Sequence, residues 1–321
     1  MIGKIARKVY HLLVRRPVPA KEADARLTYA ELTKRTAPTN FGTREEYPDL
    51  PQAFAPHPTA IVVGGSVALT QLYTGQKMFV DTRDISVAPH IMVDGLWEAH
   101  VTRAIATLLQ EEDTFFDVGA NFGYYSCIAA TRTVRRHKHI NIHAFEPNPE
   151  IAKLLHKTFS LNGLEHSARI VEAGVSDKPG DLTLYLGGEQ WGSSSFRKEL
   201  AHAKKDDGVK VPVTTIDAYC KEHKIEKVDV IKLDVEGYED HAYAGMRHTV
   251  KNNPQVRIVM EFTFGAYENE PDFFKQLQTD FEYLYYIDPR GEFEIITHFD
   301  MLRSKTRDDL VMIVLTNKEL A

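Results

Sequence analysis

Cysteine is nearly absent: Cys127 and Cys220 are the only two in 321 residues. Two thiols do not make a disulfide framework. No Cys-x-x-Cys pair is present to hold zinc or run thiol exchange, and an iron–sulfur cluster needs more cysteines than exist. The chain therefore reads as cytosolic. No paired His or His–carboxylate spacing supports a transition metal. No apolar run approaches the roughly 18 residues that span a bilayer. A basic excess is also lacking, since 45 acidic residues outnumber 39 basic ones for a net charge of −6. That argues against nucleic acid as a partner, because phosphate neutralisation needs a basic face.

What is there is unevenly distributed. Lys4, Arg7, Lys8, Arg15, Arg16 and Lys21 fall in the first 21 residues with no acid among them, so the rest of the chain carries −12. Ile2, Ile5, Val9, Leu12 and Leu13 recur at helical spacing, and Pro17 ends that helix. Charges interrupt the apolar residues throughout, unlike a secretory signal. A basic helix over residues 1–16 can pack on the body, or it can dock on a partner or peripherally on an anionic membrane. Residues 17–60 are proline-punctuated and read as an arm, with a short helix near Tyr29–Arg35. Runs between 60 and 88 suggest a small antiparallel element.

From Gly95 onward, short apolar strands alternate with helices. The strands are predicted at 114–118, 140–146, 169–175, 181–186, 209–216, 229–235, 256–262, 283–287 and 310–316. A helix is predicted over 97–109. Another starts near Gly123, a third is capped by Asn148-Pro149 and ends at Asn162-Gly163, and a fourth runs to about Val250. This alternation is the pattern of a doubly wound, mostly parallel α/β sheet, in which ligands sit outside the carboxyl ends of the strands.

The first of these strands runs into Asp117-Val-Gly119-Ala-Asn121-Phe-Gly123. This is not the dinucleotide fingerprint G-x-G-x-x-G. Its glycines still permit a tight turn and close approach to a ligand, with Asp117 beside it. The next strand ends in Glu146, an acid suited to two ribose hydroxyls. Together these argue for an adenosine-bearing cofactor. The ordered segments DVGANFGYYS, AFEPNP, EAGVSDKPG, WGSSSF, VPVTTID, IKLDVEGYE and VMEFT, preceded by YTGQKMFVDTRDIS and GLWEAH, resemble the FkbM family of S-adenosylmethionine-dependent methyltransferases. The resemblance covers roughly residues 70–316. It implies a class I, Rossmann-like methyltransferase fold with a seven-stranded, mostly parallel sheet, and S-adenosylmethionine as methyl donor. It implies that Asp117, Gly119, Asn121 and Gly123 cradle the cofactor while Glu146 holds its ribose. Glu98 resembles a family glutamate that binds the cofactor's ammonium or closes the pocket; a helix surface charge is the other reading. Residues 1–69 form an extension outside the resemblance, and 70–321 the methyltransferase domain.

The strand Val230–Glu236 places Lys232 and Asp234 on one face. A buried Lys needs an acid, with Asp117, Asp234 and Glu261 in reach. Lys232 is either part of a structural ion network or a base with a lowered pKa. Asp234 counts among the residues facing the cofactor. Glu236 and Glu261, at strand ends, are the candidate substrate contacts and general bases, because a hydroxyl acceptor must lose its proton. Asp234, Glu236 and Glu261 are compatible with Mg²⁺, but no metal is favoured. The expected reaction is O-methylation of a sugar, glycan or secondary-metabolite hydroxyl. N- or carboxyl-methylation of a small molecule or peptide, and a non-catalytic cofactor-binding module, are the alternatives. No [DNS]-P-P-[YFW] or Pro-Cys motif supports nucleic-acid methylation. The oligomeric state is not readable.

Overall fold

The computed structural model describes residues 60–131, 140–187, 193–201, 208–306 and 309–320. The expected basic helix over 1–16, the arm as far as residue 59, the short helix near Tyr29–Arg35 and Trp191 lie outside the described residues. Among the described residues no helix is long and apolar enough to cross a membrane.

The first elements are β1 (Ile61–Gly64), β2 (Val67–Gln71) and β3 (Lys77–Asp81), a small antiparallel sheet. The domain boundary expected at residue 70 falls inside β2, which is hydrogen-bonded on both sides. Helices α1 (Ala88–Asp94) and α2 (Ala99–Leu108) follow. The large sheet then begins with β4 (Thr114–Val118), α3 (Tyr124–Thr131), β5 (Asn141–Phe145), α4 (Pro149–Leu161) and β6 (Ala168–Val171). Next come β7 (Gly174–Val175), β8 (Gly180–Tyr185), β9 (Gly208–Thr214), α5 (Ile216–His223) and β10 (Val230–Leu233). The chain continues through α6 (Glu239–Ala244), α7 (Arg247–Asn252), β11 (Arg257–Thr263), α8 (Glu270–Asp280) and β12 (Tyr283–Ile287). It closes with β13 (Phe293–Ile295), α9 (Phe299–Arg303) and β14 (Leu310–Thr316).

The large sheet has the order β13-β12-β14-β11-β10-β4-β5-β6. Strands β6, β5, β4, β10 and β11 are parallel, and β14 runs antiparallel to β11 and β12. Chain winding reverses between β4 and β10, so the switch point lies where the fingerprint loop leaves β4. Every residue of β4 and β10 is buried, as expected of strands covered on both faces. Phe115, Val230 and Val259 pack with α2, α3 and α4, whereas Phe116, Ile231 and Ile258 pack with α5 to α8.

Three predicted elements differ from the structure. The sheet has eight strands rather than seven, because β13 adds a hairpin edge after β12; three residues are too short to show a period in sequence. The expected strand 169–175 is two strands. Ala173 N–H donates to the Val171 carbonyl at 2.8 Å, and the chain leaves the large sheet to pair β7 with β9. The helix expected to reach Val250 breaks at Gly245, where a Cβ would stand 2.0 Å from the Ser176 carbonyl oxygen. That contact admits only glycine, and the helix is interrupted there.

Gly119 is the tightest contact between strand ends. Its φ is +80°, and a Cβ would lie 1.8 Å from the Asp234 carbonyl oxygen. Gly119→Ala is therefore expected to cost about 3 kcal/mol or more, since both a φ-restricted site and backbone must yield. Thermal unfolding should fall by roughly 5–10 °C. An unchanged melting temperature would contradict this contact.

Candidate active site

The carboxyl ends of β4, β5 and β10, with the turn after β6, border a cleft that opens to solvent. Gly119, Asn121, Glu146, Lys232, Asp234 and Glu236 line it, with Phe145, Ile151, Val175 and Leu184 as apolar wall. Trp97, Tyr124 and Tyr125 close the side toward α2.

The loop after β4 is held by its neighbours. Gly119 and Ala120 N–H groups donate to the Phe145 carbonyl at 3.1 and 2.9 Å. Asn121 is left-handed at φ +51°, and its N–H donates to Glu146 Oε2 at 2.8 Å. Glu146 Oε1 accepts the Asn148 N–H at 2.8 Å, and burial pushes this carboxyl up to about 7. Asp117 does not line the cleft. It lies beneath the loop, fully buried, and Oδ2 accepts from Ser126 Oγ at 2.7 Å. Burial also raises its pKa. Both glycines have positive φ, as the expected tight turn requires, and each also makes room for a neighbour. At Gly119 the missing Cβ makes room for β10, and at Gly123 it makes room for Leu155, which a Cβ would meet at 2.4 Å. Of the two, only Gly119 also borders the cleft.

At the reacting end one ammonium stands among six carboxylates. Lys232 Nζ donates to the Gly119 carbonyl at 2.9 Å, pairs with Asp234 Oδ2 at 3.1 Å and lies 5.5 Å from the Tyr125 ring centroid. Burial pulls its pKa down, but Asp234 and Asp117 outweigh that and hold it above its ordinary value. This corrects the reading of Lys232 as a base with a lowered pKa: it stays a cation and offers no lone pair. Glu98 is also relocated. It borders a smaller cavity with His100, Tyr286, Lys305 and Met312 instead of the main cleft. It accepts from the Tyr125 hydroxyl, and burial with the nearby Asp234 charge pushes it up to about 7.

Glu236 lines the cleft half-buried, at φ +56°, and its carboxylate takes no hydrogen bond from another described residue. Burial, then Asp234 and Glu239, raise it well above the usual carboxylate range. Glu261 borders neither cavity. Its carboxylate accepts from Thr263 Oγ1 at 3.0 Å, and burial followed by Asp234, Glu236 and Glu239 raises it as well. Sequence reasoning missed Glu239. It is fully buried in the first turn of α6, and its carboxylate comes within 4.8 Å of those of Asp234 and Glu261. Both its oxygens are engaged, Oε1 by Val235 and Gly237 N–H and Oε2 by the Tyr267 hydroxyl. Asp234-x-Glu236-x-x-Glu239 was the available signal, since an acid in a helix's first turn can fold back on the preceding loop.

These residues fit an adenosine-bearing sulfonium cofactor. Beside the cleft, Asp117 Oδ1 and Asn121 Oδ1 are buried with no partner among the described residues, and such orphaned atoms are rare unless a ligand or water satisfies them. The apolar wall suits a base, the Glu146 carboxylate a ribose, and the acid excess a cation.

Sheet order and switch-point cleft define a class I, Rossmann-like methyltransferase fold, its seven core strands extended by β13. The family model described as "Methyltransferase FkbM domain" matches residues 117–286. The chain belongs to the FkbM methyltransferase family. Over 157 residues it is 27% identical to hexuronic acid methyltransferase AglP of Haloferax volcanii, covering 48% of this chain and 59% of that protein. Over 163 residues it is 26% identical to 2-O-methyltransferase NoeI of Sinorhizobium fredii, covering 47% and 64%. The match thus spans less than two thirds of either relative's length. Among solved structures, an FkbM methyltransferase from Methylobacillus flagellatus is similar with a TM-score of 0.40 and 15% identity, covering 66% of this chain and 47% of that one.

The Glu146 environment gives a pH signature. Only the ionised carboxylate accepts hydroxyl protons at both oxygens, and its pKa is about 7. S-adenosylmethionine affinity by calorimetry is therefore expected to weaken about tenfold from pH 8 to pH 6. Glu146→Gln should flatten that slope, and a slope unchanged in Glu146→Gln would remove Glu146 from the cofactor site.

Proposed function

We propose that this chain transfers a methyl group from S-adenosylmethionine to a hydroxyl of a sugar, glycan or similar small metabolite, with Glu236 as general base. The observation that carries the reading is the Glu236 carboxylate: it borders the cleft, takes no hydrogen bond from a described residue, and has a raised pKa. The names of the two relatives, a hexuronic acid methyltransferase and a 2-O-methyltransferase, support a sugar acceptor.

When bound, S-adenosylmethionine supplies an electrophilic methyl group. The residues of the chain divide the remaining work. Glu146, with Asn121 held against it, takes the ribose hydroxyls, and Asp117 supports the loop from below. Lys232 stays charged, fixes Asp234 and ties it to the Gly119 carbonyl, so one carboxylate keeps a set position in the cleft. Tyr124, Tyr125 and Trp97 keep water from the side toward α2, which strengthens every charge interaction inside. The acceptor oxygen must be held close and in line with the bond that breaks. Glu236 then accepts its proton. A raised pKa makes Glu236 a stronger base than an exposed carboxylate once it is ionised, and positive charge in the cleft favours that ionised form. Asp234 and Glu239 add to that basicity, and Glu261, which does not border the cleft, takes no part in the transfer.

Mg²⁺ has no part in this reading. Asp234, Glu239 and Glu261 come close together, yet Asp234 holds Lys232 and Glu239 has both oxygens occupied. Turnover is accordingly expected to survive EDTA. Glu236→Gln should lower kcat by roughly 10²–10³-fold with cofactor affinity little changed. Near-normal turnover in that variant, measured by transfer of labelled methyl to pyranosides, would sink the assignment.

A further inference from the structure

The turn that presents Glu236 is held by side chains on both its donor and acceptor groups. Val235 and Gly237 N–H donate to Glu239 Oε1 at 2.9 and 3.2 Å. The Glu236 carbonyl accepts from Ser195 Oγ at 2.7 Å, and the Gly237 carbonyl from Arg197 Nε at 2.8 Å. Asp234 N–H donates to the Val118 carbonyl at 3.2 Å. The clamping groups are themselves anchored. Tyr267 donates to Glu239 Oε2 at 2.9 Å while accepting from Thr263 N–H at 3.0 Å. Arg197 donates to Asp240 Oδ1 and Oδ2 at 3.0 and 2.8 Å and lies 5.7 Å from the Tyr238 ring centroid. Ser195 Oγ accepts from Arg197 N–H at 3.0 Å, and Ser195 bridges to Tyr185 at the end of β8.

An ordinary surface turn has its backbone groups met by water. Here side chains from the 193–197 segment and from the first turn of α6 serve one short turn. Its centre is Glu236 at φ +56°, and a non-glycine residue keeps such a conformation only where its surroundings over-determine it. The next residue, Gly237, is also left-handed, and Leu200 would lie 2.2 Å from a Cβ there. Its φ of +84° disfavours any side chain at 237, and Leu200 packs into the space that a Cβ would take.

We propose that Arg197 and Glu239 are positioning residues for Glu236: by holding the 235–237 turn, left-handed at Glu236 and Gly237, through its carbonyl and its N–H groups, they set where its carboxylate stands in the cleft. This rests on the reading of Glu236 as the base. Neither residue contacts the acceptor in this proposal; they act through the backbone, where small displacements of a reacting group are costly in rate.

The test compares the full chain with Arg197→Ala, Arg197→Lys and Glu239→Gln. Hydrogen exchange by mass spectrometry follows peptides across 234–240, calorimetry gives S-adenosylmethionine affinity, and labelled methyl transfer is measured to methyl glucoside and methyl glucuronide. Arg197 keeps 18% of its side chain exposed and is the safer variant; Glu239 is fully buried. Arg197→Ala is expected to exchange about tenfold faster at 234–240. Its kcat should fall about tenfold or more with the acceptor KM and cofactor affinity within twofold, and Arg197→Lys should recover part of kcat. Unchanged exchange, or faster exchange with wild-type kcat, overturns the proposal. If the unaltered chain methylates neither glycoside, that acceptor class falls, and exchange at 234–240 decides the clamp: faster exchange supports it, unchanged exchange ends it.

Discussion

A single ammonium holds this site together. Lys232 Nζ bridges the Gly119 carbonyl of the loop after β4 and the Asp234 carboxylate at the end of β10. These two strands form the switch point, and their ends touch so closely that Gly119 has no room for a side chain. Lys232 is 3% exposed. Burying such a charge is costly unless it is paired and hydrogen-bonded, and here both conditions are met. The pair does more than offset its own desolvation. It fixes the floor of the cleft, and it makes the surrounding carboxylates tolerable in a space where unrelieved like charges would repel.

Three of the six described non-glycine residues with positive φ lie near this site. Glu98, Asn121 and Glu236 have φ values of +39°, +51° and +56°, a region that costs an ordinary residue about 1–2 kcal/mol. Each is pinned by something different. Glu98 precedes α2, and its carboxylate is tied to Tyr125. Asn121 gives its N–H to Glu146, and the Glu236 carbonyl is held by Ser195. Such conformations persist where packing and hydrogen bonds leave no alternative, and they cluster at sites that must present a group in one orientation. In this fold rigid strands bring the acids together, while strained turns at the strand ends decide which of them face the cleft.

The strands were legible because burial on both faces demands short continuous apolar runs such as TFFDV and VIKL, set between helical patterns. Asn148-Pro149 was legible as a helix start because a capping side chain and a proline act locally, and Asn148 does accept the Glu150 N–H. The break at Val171–Gly174 was not legible, since it goes with pairing of β7 to β9, some forty residues on, and with Phe196 packed beside Gly174. The acid pattern of the site could be read, but its geometry could not. Strand-end position puts Glu236 and Glu261 at the carboxyl edge, and the family resemblance puts Glu98 near the cofactor; neither shows that Glu98 turns toward a second cavity or that Glu261 does not border the cleft. Glu239 was overlooked because an acid in a helix's first turn has an ordinary local explanation. Its contact with Tyr267 joins two distant segments, and no local rule contains that contact.

The site's electrostatics also bear on the net charge of the chain. Glu98, Glu146 and Glu239 each titrate near about 7 in the folded chain, with burial as the leading cause. A carboxyl whose pKa is raised on folding holds more protons in the native state than in the unfolded one. Native stability therefore falls as pH rises from the unfolded value toward the folded one. Across that window the ligand-free fold gains from protons on these acids and loses as they leave. Positive charge bound in the cleft acts in the opposite sense, because it favours the ionised forms. Of these three acids only Glu146 lines the cleft, so a ligand there acts on Glu146 directly and on the other two through the field of the buried cluster. A sulfonium carries such a charge, and a thioether lacks it.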